Sequence, residues 1–224
     1  AVDFRKTPAY AFVKMDDMMP SQFFRNEVKQ VAAFVEGMLR CYRISRAGTL
    51  DIDGLRTKVL ENDDFRDAPF FLVYNFFRLK KLLDAKKEIR QNNFASLLQV
   101  QTILGFCTVA EELLKKAQGK NTWPGYLSTF AKINSLKLNQ SEVDKINGKF
   151  NDDFTGTLKA LLDSTYAYKN DSNKPSPIEE DLLILYGFRN AAAHDLNSKK
   201  LVYENFEVIS QKVLNALFFI IEKG

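Results

Sequence analysis

The sequence predicts an all-α helical bundle, and three observations carry that expectation. Apolar residues recur at three- and four-residue intervals nearly throughout the 224 residues. Runs of strict apolar–polar alternation, the mark of a half-buried strand, are hard to find. Gly and Pro number only ten and six, and several fall between the periodic stretches, where they read as breaks. Hydrophobic residues make up 46% and charged residues 27% of the chain, enough apolar surface for a core and too much for a disordered polymer.

The elements follow in order. From 21 to 45, Phe24, Val28, Val31, Val35, Met38 and Tyr42 form one apolar stripe, with Ser21 as N-cap. Arg40, Arg43 and Arg46 sit near its C-terminal end, where cations suit the helix dipole, and Gly48 breaks the pattern. A short helix is predicted over 52–61. A helix over 70–91 follows the bend at 67–69, with Phe71, Tyr74, Phe77 and Leu82 inward. The stretch 94–117 is apolar on nearly all sides, so it is read as the central, buried helix, closed by Gly119. Shorter helices are predicted over 123–136, 141–150 and 154–168. The polar loop 169–177 (KNDSNKPSP) precedes the last two helices. The first of these opens at Pro177 with Glu179, Glu180 and Asp181 in its first turn, where anions suit the positive helix end. Its apolar face runs Ile178, Leu182, Leu185, Tyr186. The last, over 203–223, turns Phe206, Ile209, Val213, Leu217, Ile220 and Ile221 inward. Phe218 and Phe219 then leave an apolar surplus that a second copy of the chain would cover.

A soft boundary near 91–94 divides a helical segment of unassigned role (1–92) from a helical domain (93–224). The net charge is +4, from 32 basic and 28 acidic residues. Residues 78–90 alone hold six basic and two acidic residues, so the middle of the chain carries the excess. Lys80, Lys87 and Arg90 share a stripe there that suits an RNA backbone. The two cysteines, Cys41 and Cys107, cannot form a disulfide framework, which points to a reducing cytoplasm. The apolar run 216–221 is far too short to span a membrane, and no membrane partner is expected.

The chain contains one histidine, His194, five residues after Arg189. An imidazole titrates near neutrality and can move protons at pH 7. A guanidinium is permanently charged and its fork matches phosphate oxygens. Together they can bind a phosphodiester, stabilise its added negative charge and exchange a proton without a metal or cofactor. On a straight helix the two side chains stand roughly 140° apart. They converge where the helix bends or ends, or where a two-fold copy completes the site. Ala191, Ala192 and Ala193 between them leave room for close approach. Other chemistries fit less well. Gly54, Gly105 and Gly119 are isolated and form no phosphate loop. Two distant cysteines and one histidine are too few soft ligands for zinc. Cys107 lies in the most apolar stretch and reads as a packed thiol.

Arg189-Asn190-x-x-x-His194, late in an all-helical chain and followed by an amphipathic helix, resembles the R-x(4–6)-H motif of the HEPN superfamily, including the polar residue after the Arg. The resemblance covers about 94–224. It implies a C-terminal HEPN-like bundle and a metal-independent endoribonuclease that acts on single-stranded RNA as a homodimer. It implies attack by the RNA's 2′-hydroxyl, with Arg189 on the scissile phosphate, His194 on the 2′-hydroxyl or as acid–base, and Asn190 orienting the pair. It also implies a place in prokaryotic antiviral defence or stress response, as in CRISPR-associated, toxin and abortive-infection nucleases, with a sensor or antitoxin domain, fused or separate. Leu196 stands where some toxin members carry Tyr. A non-catalytic HEPN-like module that binds a nucleotide or a partner protein is the alternative.

Overall fold

The computed structural model describes residues 22–62, 65, 67–85, 93–118, 123–166, 174–190 and 199–224. The fold is an all-α bundle. Its helices are α1 (Gln22–Arg46), α2 (Ile52–Leu55), α3 (Ala68–Asp84), α4 (Asn93–Gln118), α5 (Trp123–Ile133), α6 (Gln140–Asp152), α7 (Phe154–Leu162), α8 (Pro177–Asn190) and α9 (Lys199–Lys223). A π-helical turn, Arg56–Leu60, continues α2.

Local chemistry explains the ends. Asp51, Asn139 and Asp153 each accept from the backbone N–H three residues on and so cap α2, α6 and α7. Pro69 sits in the first turn of α3, where its missing N–H costs nothing. Ala47, Ser135 and Ser164 adopt positive φ just beyond α1, α5 and α7, ending those helices without glycine. Ser21, the expected cap of α1, and Gly119 lie outside the described residues, as do the side chains at 24 and 28.

The expected central helix holds that place. α4 packs against α9, α3, α5 and α8. By length and composition its span Phe94–Lys116 could cross a membrane, the one such helix among the described residues. Here its apolar sides are spent on neighbouring helices, with Ile103, Phe106, Cys107 and Leu114 fully buried. An aromatic cluster ties four helices together: Phe76 of α3 lies 5.2 Å from Phe106 of α4 and 6.3 Å from Phe218 of α9, and Phe218 lies 5.8 Å from Tyr42 of α1. One buried cluster draws on residues of helices from α1 to α9.

Three expectations are corrected. First, Phe71 and Tyr74 do not face inward: they are 54% and 58% exposed. α3 is apolar on most of its circumference, and it buries Leu72, Val73, Asn75, Phe76, Leu79 and Leu82 instead. Second, the apolar surplus of α9 is covered within one chain. Phe218 is buried against Tyr42 and Phe76, and Phe219 meets Phe130 of α5 edge-on at 5.8 Å. Third, α8 turns no face to solvent over Glu179–Phe188, since all ten residues are buried.

That last point gives the acidic first turn of α8 a different role. Asp181 is fully buried and holds Arg46 of α1 at 2.6 Å, Asn215 of α9 at 3.1 Å and Lys212 of α9 at 3.5 Å. Burial pushes its carboxyl up, while Arg46, Lys212 and Asn215 pull it down. Glu180 lies 3.9 Å from Lys212 and accepts from Ser164 at 3.3 Å, and Glu179 accepts from the backbone N–H groups of Lys137 and Ser176. These three carboxylates bolt the start of α8 to α1, α9, the turn after α7 and the segment between α5 and α6.

Candidate functional site

With its first turn fixed, α8 carries Arg189 and Asn190 on its last. Gly187 sets how closely that last turn approaches α6. A Cβ at 187 would stand 2.2 Å from the Phe150 ring, so only glycine lets the α8 backbone lie this near. Phe188 packs beside it, edge-on to Phe154 at 5.5 Å.

Arg189 donates from Nε to Oε2 of Glu111, which α4 presents one turn after Cys107. The Arg189 side chain is 39% exposed and that of Glu111 23%, so the pair sits at the rim of the core. Among the described residues Glu111 is the hydrogen-bond partner of Arg189. The guanidinium has five N–H donors, and the pair occupies one edge of it. Cys107 lies under the pair. Burial raises its thiol pKa most, Arg189 lowers it and Glu111 raises it, so the thiol stays protonated at neutral pH. A packed, inert Cys107 is what the apolar stretch predicted.

Asn190 is anchored from the other side. Its Nδ2 donates to Oδ1 of Asn147 on α6 at 3.0 Å. One turn earlier, burial pushes the Tyr186 phenol up to about 12, with Asp144 of α6 adding to that and a hydrogen bond from Asn190 opposing it. The end of α8 is thus held between a carboxylate of α4 and an amide of α6.

Of the residues singled out in the sequence, the structure brings Arg189 and Asn190 together on this turn. His194 and the three alanines before it lie outside the described residues, as do Lys87 and Arg90. Lys80 is described. It stands on α3, which packs on α4 and α1, and pairs with Asp84 one turn on. Glu111 and Asn147 are members of the site that periodicity did not reveal. A signal existed for Glu111: a carboxylate four residues after Cys107, on the side of α4 that enters the core, needs a cation. Among the described residues no three His, Cys, Asp or Glu side chains group as metal ligands would. Comparison of the chain with protein-family models, with curated proteins and with solved structures gives no match in any of the three.

Proposed function

We propose that the chain is a HEPN-like, metal-independent endoribonuclease that cleaves single-stranded RNA as a homodimer in a prokaryotic cytoplasm, in defence or stress response. The observation that carries the reading is the last turn of α8. Arg189 and Asn190 stand side by side there, each anchored by a side chain from a different helix, immediately before the segment that holds the only imidazole of the chain. Such anchoring is what a group that must meet a phosphate in fixed geometry requires.

In this reading the RNA 2′-oxygen bonds to phosphorus and gives up its proton to a base, for which His194 is the available imidazole. The bond from phosphorus to the 5′-oxygen breaks, and that oxygen takes a proton. Products are a 2′,3′-cyclic phosphate and a 5′-hydroxyl. Arg189 offsets the extra negative charge on the phosphorane-like transition state. One observation favours the second reading, a non-catalytic module for a nucleotide or partner protein: Glu111 already neutralises Arg189.

The deciding experiment is cleavage of single-stranded RNA in EDTA. Wild-type protein cleaves and leaves cyclic-phosphate ends; Arg189→Ala and His194→Ala each abolish cleavage with unchanged helicity. Full activity in His194→Ala, or activity lost to chelator, overturns the mechanism. Light scattering on wild type and Ala192→Arg tests the dimer: a monomer that still cleaves refutes a shared site.

A further inference from the structure

Three aromatic rings stand out into solvent among the described residues: Phe71, Tyr74 and Phe94, at 54%, 58% and 69% exposed. Two of them, Phe71 and Tyr74, stand one turn apart. Phe71 and Tyr74 are on α3, and Arg78 and Lys81 continue the same stripe, the four lying within about 80° of one another around the helix. α3 and α4 run antiparallel: Asn75 lies against Gly105, and Arg78 donates to the Leu98 carbonyl at 3.4 Å. Phe94 stands one turn before Leu98, so it extends the stripe onto α4. At the other end, Phe71 borders a groove of about 460 Å³ shared with Phe65, Val109, Glu112 and Lys116.

Rings and cations are interleaved along this face. The guanidinium of Arg78 lies 5.4 Å from the centre of the Tyr74 ring, and the ammonium of Lys116 lies 4.4 Å from that of Phe65. Over the described residues 78–85 the same helix carries Arg78, Lys80 and Lys81 against Asp84 alone. Exposed aromatic faces beside permanent cations suit a ligand that is both a polyanion and a series of flat rings. A second copy of the chain fits less well. A two-fold contact through this face would bring Arg78 and Lys81 of one copy against the same cations of the other.

We infer that the Phe71–Tyr74–Arg78 face of α3, extended by Phe94, is a stacking track for single-stranded RNA. The inference rests on the proposal that RNA is the substrate and names the surface that holds it away from α8. Bases stack on Tyr74, Phe71 and Phe94, and Arg78 and Lys81 meet phosphates. It moves the expected RNA contact from Lys80, which Asp84 engages, to the neighbouring stripe of the same helix.

The test is titration of a fluorescein-labelled 2′-O-methyl RNA 12-mer, which lacks the hydroxyl nucleophile and stays intact, read by anisotropy. Tyr74→Ala and Phe94→Ala should each raise Kd about 5- to 100-fold. Tyr74→Phe should bind as wild type and Tyr74→Leu should not. Arg78→Gln should reduce the salt slope of log K by about one. Ile133→Ala, which removes an exposed apolar side chain of α5, should change nothing. Wild-type affinity in Tyr74→Ala and Phe94→Ala overturns the track, as does wild-type affinity in Tyr74→Leu. So does a change of oligomeric mass in Phe94→Glu with RNA affinity intact. If the stripe variants bind normally while wild type cleaves unmodified RNA, the track falls and the ribonuclease stands. A wild type that neither binds nor cleaves removes both. Binding through the stripe without cleavage removes only the cleavage.

Discussion

Arg189 and Glu111 are 78 residues apart in sequence and meet as an ion pair through Nε and Oε2. The contact joins the last turn of α8 to the central helix and fixes the plane of the guanidinium. A carboxylate on the Nε edge leaves the two terminal nitrogens as the donors a phosphate would meet. Glu111 therefore acts on any ligand of Arg189 by positioning it.

Removing that carboxylate should cost more activity than stability. The pair is partly exposed, so Glu111→Ala should lower stability by less than about 1 kcal/mol. Cleavage should fall roughly tenfold to a hundredfold, as for a displaced binding group. Glu111→Gln keeps an acceptor and should recover most of the loss. Comparing kcat/KM with urea midpoints for both variants checks this; equal losses in both quantities would make Glu111 merely structural.

Asp181 is the opposite case. Replacing it by Ala leaves Arg46 without its anion and Lys212 with only Glu180, 3.9 Å away. The expected cost is about 3–5 kcal/mol. Urea unfolding should show a lower midpoint with unchanged slope. The added change Lys212→Met should return part of the loss, because it removes one stranded cation.

Gly187→Ala tests the seat of the site. The new methyl group would stand 2.2 Å from the Phe150 ring, so helix or ring must move. Overpacking of this kind costs about 1–3 kcal/mol. Phe150→Leu in the same chain should relieve it, and a double-mutant cycle measures the coupling.

Glu222 carries a pH dependence whose sign is fixed. Burial alone would raise its carboxyl, but Lys223, the N–H groups of Thr49 and Leu50, and the Tyr42 hydroxyl together hold it down to about 2, against 4.5 when unpaired. A folded value below the unfolded one means stability that is complete above pH 4.5 and is lost as pH falls towards 2. Melting temperatures of wild type and Glu222→Gln should therefore differ at neutral pH and converge only as pH falls to about 2.

How legible this was depended on what kind of contact each residue makes. Helix existence is a local property, and α1, α4, α6 and α9 begin and end within a few residues of where spacing, caps and breaks place them. Burial is not local. α3 reads apolar on most sides, and Phe71 and Tyr74 looked as inward as Phe77 and Leu82. The choice is made by α4, whose Gly105 admits Asn75 and turns the helix. The acidic turn of α8 has an adequate local explanation in the helix dipole, and its cations come from 135 and 31 residues away. The surplus on α9 suggested a second chain because its covering rings lie on α1, α3 and α5. At the site, Arg189 and Asn190 were legible as a motif. Asn147 was not, and Glu111, whose need for a cation was the one local signal, carries nothing that names α8 as its partner.

The clasp between Tyr42 and Glu222 has a consequence for synthesis. The two residues are 180 apart, and Glu222 also receives the N–H groups of Thr49 and Leu50 while its carbonyl accepts from Lys58. At about 5–20 residues per second, α1 leaves the ribosome roughly ten to forty seconds before the last turn of α9 exists. For that interval Leu39, Tyr42 and their neighbours lack the surface that finally buries them. Until that turn emerges, this side of α1 is a surface that a chaperone would find.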